Sequence, residues 1–387
     1  MDIKSGYFFI ADISGYTRFL TSSELDHATE ILDALFDSVL YNVKVPITIV
    51  KAEGDAICFY IEKDSLVQTQ SLIEAMEQTY FNFRRRLELM FINSNCKCNA
   101  CANMMELDLK IFLHYGEYLV QQIGGKTDLQ GAQVILIHRL MKNRVKEATG
   151  CKGYGLLTEA AVSAMGLDGL TKNMIEHFES YEHYGDVRVF IHDLGKAWEL
   201  ERERQHQFVS AENCFAKAEI SLHVPASVAW PYVLESGYVK RYFTLTTFIR
   251  KDTDVNARID IGSAFHCQHE LTDIDYVIVD LEPPDYLTSK ARNISIGLYY
   301  LCTIRIIDAP DGSTFQILFG KPEGEFSAEI ASAYQGAADG AASIFAQIID
   351  EEIKAGKIQR SLIEDASARK AEYIRPSVAS GRFANIE

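Results

Sequence analysis

The sequence predicts an α+β protein of two domains, and three observations support this prediction. The chain of 387 residues is longer than one hydrophobic core usually serves. In its first half, apolar runs of strand length alternate with segments of helical period, a pattern typical of helices packed on a sheet. In its second half, several strand-like runs follow one another and one long helical segment closes the series. We therefore expect an α/β sandwich followed by a second domain made of a sheet and a long helix.

The composition excludes several classes of protein. Hydrophobic residues make up 48% and charged residues 24%, and no apolar run approaches the roughly 18 residues that cross a bilayer. A formal net charge of −16 argues against broad binding to nucleic acid or anionic lipid, because both need a basic surface. The first residues, MDIKSGYFF, lack the features of a secretory signal. We expect a cytoplasmic protein with no membrane span.

Short strands and helices succeed one another in the first half. Residues 7–13 predict a strand, and the apolar spacing that begins at Leu25 predicts a helix, preceded by a capping box of Ser23 and Asp26. The stretch PITIVKAEGDAICFYI predicts a hairpin that turns at Glu53 and Gly54. The other expected elements are helices at about 66–92 and 131–147, and strands in LDLKIFLHYGEYLV and at about 187–193.

The second half begins after a charged stretch, GKAWELERERQHQFVSAEN, which predicts an exposed helical connector. AEISLHV then alternates apolar and polar residues, as a half-exposed strand does. The segment SAEIASAYQGAADGAASIFAQIIDEEIKAG predicts a long helix whose slim apolar face could lie close against a sheet. Further strands are expected at about 257–270 and in YVIVDLE, IGLYYLCTIRIID and STFQILFG.

Two aspartates stand at strand ends in the first half. Asp12 follows an apolar run and precedes Ser14 and Gly15, and Asp55 follows the hairpin turn in KAEGDA. Aspartate and glycine commonly close strands in turns, so both carboxylates could be simple strand-end caps. Carboxylates brought together on neighbouring strands can also hold two divalent cations, which offset triphosphate charge and activate a hydroxyl for in-line attack.

The order of motifs over residues of about 5–195 resembles the catalytic domain of the class III nucleotidyl cyclases, the adenylate and guanylate cyclases. ADISGYT is similar to that family's first metal motif, KAEGDAICFY to its second, and LKIFLHYGEYLVQQIGG to its strand and glycine loop. DLQGAQVILIHRL resembles its substrate helix, and GLLTEAAVSAMG with YGDVRVFIHDL resembles its closing elements. The resemblance implies a ferredoxin-like α/β sandwich of the class III cyclase type, acting as a homodimer with shared active sites.

The resemblance also assigns roles to residues. It implies that Asp12 and Asp55 bind two divalent cations, Mg²⁺ or Mn²⁺, and that Lys51 and Asp128 read the purine. Lysine can donate to a ring nitrogen and aspartate can accept from an exocyclic amine, which is the pattern of adenine, so ATP is the expected nucleotide. Arg139 matches the arginine that stabilises the transition state. Taken alone, Lys51 could be a solvated hairpin residue and Arg139 a surface partner of a nearby acid.

Two positions depart from the family pattern. Ile135 stands one helical turn before Arg139, where the family usually has an asparagine that orients the ribose. Near 182–186 the family often has a lysine that meets the triphosphate, and this chain offers Tyr184. Losing one oriented polar group costs on the order of 3 kcal/mol, or about a hundredfold in rate. The enzyme could therefore be slow, differently selective or inactive.

The cysteine cluster CKCNAC is a candidate metal site. Cys96, Cys98 and Cys101 have the tight spacing of thiolate ligands, but structural Zn²⁺ takes four donors. His114, a histidine elsewhere or a cysteine of a second chain would complete such a site; otherwise the three are ordinary thiols. Outside such a site, His114 and His138 lie on an apolar strand and helix, where we expect packing roles.

Residues of about 215–357 resemble the START-like helix-grip domains, in which a curved antiparallel sheet wraps a long C-terminal helix. VPASVAWPYVLES is similar to their first strand and short helices, and the Ala- and Gly-rich end to their gripping helix. The resemblance implies a pocket for a lipid or another apolar ligand, although a filled core would have the same pattern. The expected lining residues are Phe265, His266, Tyr286, Tyr299 and Phe345.

The expected organisation is therefore a cyclase-like domain at 1–195, a charged connector at 196–214, a helix-grip domain at 215–357 and a tail at 358–387. The expected activity is conversion of ATP to cyclic AMP and pyrophosphate by a two-metal mechanism, regulated by an apolar ligand of the second domain. The alternative is a non-catalytic dimer that senses a nucleotide or a lipid and is built on a degenerate cyclase fold.

Overall fold

The computed structural model describes residues 3–42, 46–123, 126–167, 169–204, 206–251, 257–269, 272–322 and 326–358. The chain divides into two compact units, Met1–His206 with Asp252–Ile259, and Gln207–Lys251 with Asp260–Glu387. The expected α+β class is confirmed. The glycines of the predicted loop, at 124–125, and the predicted tail beyond Ile358 lie outside the described residues.

The first unit is built on one mixed sheet. Its strands are β1 (Lys4–Ser14), β2 (Thr48–Glu53), β3 (Ala56–Glu62), β4 (Asp108–Ile123), β5 (Lys126–Gln130), β6 (Tyr154–Thr158), β7 (Ile175–Tyr181) and β8 (Gly185–Asp193). Their order is β2–β3–β1–β4–β6–β8–β7, and β5 pairs with β4. The β4–β6 pair is parallel, whereas β1 pairs with both of its neighbours antiparallel. The predicted hairpin is confirmed as β2 and β3, and the site described below lies where β1 and this hairpin end.

Helices cover the two faces of this sheet unequally. The helices are α1 (Tyr16–Thr21), α2 (Leu25–Asn42), α3 (Ser71–Asn93), α4 (Asn99–Asn103), α5 (Ala132–Leu140), α6 (Val145–Thr149), α7 (Glu159–Met165) and α8 (Leu194–Glu203). Phe9 and Ile13 of β1 lie in a large core with α2, α3, α7 and α8, on what we call the covered face. Phe8 and Ile10 point the other way because side chains alternate along a strand, and lie in a smaller core with α5, on what we call the site face.

The second unit has one antiparallel sheet and a long helix. Its elements are β9 (Cys214–Leu222), α9 (Ala226–Leu234), α10 (Ser236–Tyr242), β10 (Thr247–Arg250), β11 (Ala264–Gln268), β12 (Asp273–Glu282), β13 (Tyr286–Asn293), β14 (Leu298–Ala309), β15 (Gly312–Gly320) and α11 (Ala328–Lys354). The strand order is β10–β11–β12–β13–β14–β15–β9. Tyr334 of α11 packs against Tyr300 and Phe319, with ring centroids 5.2 Å apart in both pairs. The predicted long helix therefore lies on one face of this sheet.

Three local expectations differ from the structure. The predicted helix at 131–147 is two helices, α5 and α6. The predicted capping box does not form, since the buried Ser23 hydroxyl has no hydrogen-bond partner among the described residues. The predicted exposed connector begins as α8, in which Trp198 is buried and donates to Glu88 over 3.0 Å. The burial of Trp198 has a tertiary cause, because its ring packs against Phe81 of α3.

Candidate functional site

Asp12 is a buried carboxylate at the end of β1. It follows Phe8 and Ile10 on the site face, and only 8% of its surface is exposed. Across the sheet it stands opposite Ala56 on β3 and Lys110 on β4. The next residue, Ile13, donates its backbone N–H to the carbonyl of Asp55 over 2.9 Å. This hydrogen bond fastens the β2–β3 turn to the end of β1, so the two predicted metal aspartates are brought together.

The electrostatics of this pair favour a bound cation. Burial, and then the negative charge of Asp55, raise the pKa of Asp12 from 3.8 to about 6, and the nearby Lys110 opposes this shift in part. Two carboxylates held together, one of them desolvated, lose this repulsion when a divalent cation lies between them. Hard carboxylate oxygens are the ligands that Mg²⁺ and Mn²⁺ prefer. The residues present therefore fit the divalent cations that the resemblance implies.

The turn after β1 explains the glycine in ADISGYT. Gly15 has φ of +87° and precedes α1, and this left-handed conformation is strained for any other L-residue. Beyond Ser14 and Gly15 lies an open cleft. Three cationic and two acidic side chains line it, namely Arg18, Lys146, Lys152, Glu106 and Asp108. With one more positive than negative charge, the cleft suits an anionic group.

Lys51 and Asp128 also meet, at the edge formed by β2 and β5. The Lys51 ammonium lies 3.4 Å from Asp128 Oδ1 and 2.9 Å from Glu53 Oε1. The hydrogen bond that Lys51 donates to Glu53, and less strongly the charge of Asp128, raise the pKa of Lys51 and keep the ammonium charged. About a third of each side chain in the Lys51–Asp128 pair is exposed, at 34%. The pair is thus open to a ligand and carries one donor and one acceptor.

Three neighbours of this pair were not expected from the sequence. Glu53, Cys58 and His138 bring their side-chain tips within 4.8 Å of one another beside the lysine. Burial raises the pKa of the Cys58 thiol to about 12, and burial, followed by the charge of Lys51, lowers the pKa of His138. The protonated thiol of Cys58 and the adjacent ammonium of Lys51 disfavour a cation here, so we interpret the group as part of a polar ligand pocket. His138 was expected only to pack, because helical spacing does not reveal a neighbour on β2.

Helix α5 carries Arg139, the predicted transition-state arginine, and Ile135. Arg139 is exposed, and no ion pair to it is seen among the residues that the structure describes. Ile135, one turn earlier on the same helix, is 54% exposed. The Tyr184 hydroxyl donates to the Ala132 carbonyl over 2.8 Å, so it fastens the first turn of α5. The tyrosine at the position of the family's lysine therefore holds the helix that carries Arg139.

His114 is a buried structural residue, as expected. Its ring nitrogens lie 2.8 Å from Thr158 Oγ1 and 2.8 Å from Gln133 Oε1. Burial lowers its pKa, so the ring is neutral near pH 7. Its two hydrogen bonds join β4 to β6 and to α5, and they leave no ring nitrogen for a metal.

The three clustered cysteines lie on the other side of the sheet from Asp12. Cys98 and Cys101 pack against the core of the covered face, and Cys96 precedes them in the same loop. All three sulfur atoms surround Nδ1 of His27, a residue of α2 that was not singled out from the sequence. Its signal was weak, because His27 precedes Cys96 by 69 residues.

The five predicted pocket residues of the second unit divide between two faces of its sheet. Phe265 pairs with Tyr276 on the next strand, Tyr276 with Ala291, and Ala291 with Tyr300, so these side chains point to the same face of the sheet. Tyr300 packs against α11 on that face. Phe345 of α11 is fully buried against Phe315. These two side chains lie between sheet and helix.

The other three pocket residues are corrected by the structure. Tyr299 and His266 belong to the register that points away from α11, and Tyr299 is 43% exposed. Tyr286 pairs with Arg305 on that same face and donates its hydroxyl to Asp280 over 2.8 Å. Strand alternation sends these side chains away from the helix, so they do not line a cavity beneath it.

Comparison with known proteins gives a matching family and a curated relative. The family described as "Protein of unknown function (DUF2652)" matches residues 32–149. The uncharacterized protein Rv2561/Rv2562 of Mycobacterium tuberculosis is 32% identical over 112 residues, which cover 29% of this chain. The chain spans about half of that relative's length, 51%. This family and relative carry no described activity.

Several solved structures are similar to about half of the chain. The guanylyl cyclase Cya2 is 16% identical, with 49% of this chain and 92% of that chain covered and a TM-score of 0.37. The adenylyl cyclase CyaB from P. aeruginosa is 15% identical, with coverages of 49% and 94% and a TM-score of 0.33. A bacterial light-regulated adenylyl cyclase is 13% identical, with coverages of 52% and 57% and a TM-score of 0.38. Among the described residues, no helix is both long and apolar enough to cross a membrane.

Proposed function

We propose that the first unit is a nucleotidyl cyclase that converts ATP to cyclic AMP and pyrophosphate. The single observation that carries this proposal is the meeting of Asp12 with Asp55 at the end of β1, where burial and repulsion favour a divalent cation. Lys51 and Asp128, which are in contact at the edge of the same sheet, supply the donor and acceptor that match adenine. Both pairs are also the residues that the family resemblance assigns.

Different residues of the chain would have different roles in this reaction. Asp12 and Asp55 would hold two divalent cations, whose charge would lower the pKa of the ribose 3′-hydroxyl and offset the charge of the triphosphate. The 3′-hydroxyl would give its proton to water and its oxygen would bond to the α-phosphorus, while the bond from the α-phosphorus to the oxygen that bridges it to the β-phosphorus would break and release pyrophosphate. Arg139, exposed and without an ion pair among the described residues, is available to the charge on the transferring group. The cleft of Arg18, Lys146 and Lys152 offers positive charge for phosphates near the end of β1.

We further propose that two copies of the chain share each site, with the aspartates from one protomer and the base readers and Arg139 from its partner. For the second unit we propose a helix-grip domain, since a seven-stranded antiparallel sheet with α11 on one face has that layout. Its ligand would be an apolar compound held between sheet and helix, beside Phe265 and Phe345. The cytoplasmic location of the chain and the limits of its domains remain predictions.

A second function is favoured by one observation. Ile135 places an exposed apolar side chain where the family's asparagine meets the ribose, and it cannot donate or accept a hydrogen bond. A chain with this site could bind nucleotide and dimerise without catalysis. The alternative is therefore a non-catalytic nucleotide- or lipid-sensing protein.

One experiment separates the two functions. The purified full chain is incubated with ATP or GTP and Mn²⁺, and the products are separated by chromatography. The control is Asp33→Asn, which changes an exposed carboxylate of α2. The cyclase would be supported if the wild type and this control form cyclic AMP and Asp55→Asn does not. No cyclic product from the wild type, together with nucleotide binding that Asp55→Asn weakens, would support the sensing protein instead.

A further inference from the structure

We infer that His27, Cys96, Cys98 and Cys101 form a binding site for one structural Zn²⁺ ion. The three cysteines of CKCNAC offer too few donors for such a site by themselves. The structure adds the fourth donor, Nδ1 of His27, from the first turn of α2. The site is separate from the carboxylate pair of the proposed cyclase, and the inference does not depend on that activity.

The geometry already suits a tetrahedral ion. Nδ1 of His27 lies 3.2 Å from the sulfur of Cys98, 3.5 Å from that of Cys96 and 3.7 Å from that of Cys101. With Zn–S of about 2.3 Å and Zn–N of about 2.0 Å, a tetrahedral site places nitrogen and sulfur about 3.5 Å apart. All four donor atoms lie within 4.8 Å of one another. The donor atoms therefore already lie close to the separations that a tetrahedral ion requires.

The backbone around the donors is fixed by other contacts. The Cys101 N–H donates to the sulfur of Cys98 over 3.4 Å, an outer hydrogen bond of the kind that orients and stabilises metal thiolates. The Glu24 carboxylate accepts from the backbone N–H of Ala100 over 3.2 Å, and Ala100 is fully buried. These contacts tie the cysteine loop to the residues just before α2. The four ligands are thus presented by two anchored segments.

The donor set determines the class of ion. Three thiolates and an imidazole are soft ligands that select Zn²⁺ over Mg²⁺ and Mn²⁺, the ions that suit Asp12 and Asp55. Four protein ligands leave no open position for water or substrate, which is the mark of a structural zinc site. The ion would join α2 to a loop 69 residues further along the chain. Its role would be to hold the helices of the covered face in place.

The test begins with the full wild-type chain, purified without chelator. We expect about one zinc per chain by elemental analysis, and a fall of about 5 °C or more in Tm when a chelator removes it. After removal, added Co²⁺ should produce the intense thiolate-to-cobalt charge-transfer absorption of a tetrahedral sulfur-rich site. Cys98→Ser and His27→Ala should each lose the bound zinc. Cys214→Ser, which changes a partly exposed thiol of the second unit, should keep it.

Several results would overturn the inference. A wild-type chain with little zinc, and with no charge-transfer absorption on adding Co²⁺, would leave ordinary thiols. Zinc retained by the doubly altered chain Cys98→Ser and His27→Ala would place the ion elsewhere. Iron in place of zinc, or a disulfide among the three cysteines found by peptide mass, would also contradict it. If the variants fail to fold, the wild-type zinc content and Co²⁺ spectrum still decide the question.

Discussion

The two faces of the first unit's sheet are made by alternate residues of the same strands, yet the two faces have different roles. On the covered face, Phe9 and Ile13 lie in one core with residues of α2, α3, α7 and α8, and Leu35 of α2 is fully buried. On the site face, Phe8 and Ile10 lead to Asp12, and Ile135 of α5 stays exposed. A face sealed by helices gives stability, whereas a face left partly open can keep charged groups desolvated and still reachable. The carboxylate pair lies at this boundary between buried and open.

The largest effect expected on the site face is loss of activity. If the cyclase proposal holds, Asp12→Ala with Asp55→Ala in one chain should lower the rate by a factor on the order of 10²–10³ or more, because the cations lose their ligands. Lys51→Ala with Arg139→Ala in another chain should be similarly inactive. Mixed in equal amounts with free exchange, the two chains should recover up to about a quarter of native activity, since half of the dimers carry one intact site of two.

This mixture also tests whether sites are shared. Asp12, Lys51 and Asp128 of one chain all act on the pKa of the buried Cys58, so they lie near one another within a single protomer. Recovery in the mixture requires sites built from two chains. An active wild type and a mixture without activity, with exchange confirmed by mass, would assign the whole site to one chain.

The next effect concerns stability and contrasts the two faces directly. Leu35→Ala should lower the free energy of unfolding of the first unit by about 2–5 kcal/mol, because it removes a fully buried side chain and leaves a cavity. Ile135→Ala should change it by less than about 0.5 kcal/mol, since that side chain is 54% exposed. Chemical denaturation of both variants measures the contrast. Equal losses would mean that the site face is as well sealed as the covered face.

The buried carboxylate should make stability depend on pH. The pKa of Asp12 is raised from 3.8 to about 6 in the fold, so the folded state holds a proton that the unfolded state has released between these values. Without added divalent cations, the free energy of unfolding should therefore fall as pH rises from about 4 to 6, by up to about 3 kcal/mol at 1.36 kcal/mol per pKa unit. Asp12→Asn should remove this fall.

Added Mn²⁺ gives the control for the pH prediction. At pH 7 it should raise the Tm of the wild type, because it binds the native carboxylates, and it should leave Asp12→Asn nearly unchanged. A wild-type stability that is flat between pH 4 and 6 would contradict the proposed desolvation of Asp12.

The smallest effect expected is a preference between nucleotides. If Lys51 and Asp128 read adenine, ATP should raise Tm more than GTP by a few degrees, since a tenfold difference in affinity is about 1.4 kcal/mol. Lys51→Ala should abolish the difference, whereas Lys172→Ala, an exposed lysine of the same unit, should preserve it. Equal or reversed protection by GTP would remove the adenine assignment.

Local patterns in the sequence were enough to predict the α+β class, the hairpin of β2 and β3, and the long helix α11. Apolar residues recur every two residues in a strand and about every 3.6 residues in a helix, and this pattern is visible within a short stretch of sequence. The charged residues at the ends of β1 and β3 could be chosen as candidates, because carboxylates beside glycine at strand junctions stand out. The family resemblance then paired Asp12 with Asp55 and Lys51 with Asp128, and the structure brings each pair together.

Only the tertiary structure decided which distant groups share a site. It placed His27 among the three cysteines, brought His138 to Lys51, and turned Tyr286 and Tyr299 away from α11. No local period encodes such contacts, since they depend on which strands pair and in which register. If the pairing of a strand shifts by one residue, the side chains of that strand move to the opposite face of the sheet. The position of α2 against the cysteine loop depends on packing across the whole covered face. The sequence by itself thus determined the elements and their candidate residues, and the long-range pairing of those elements determined the sites.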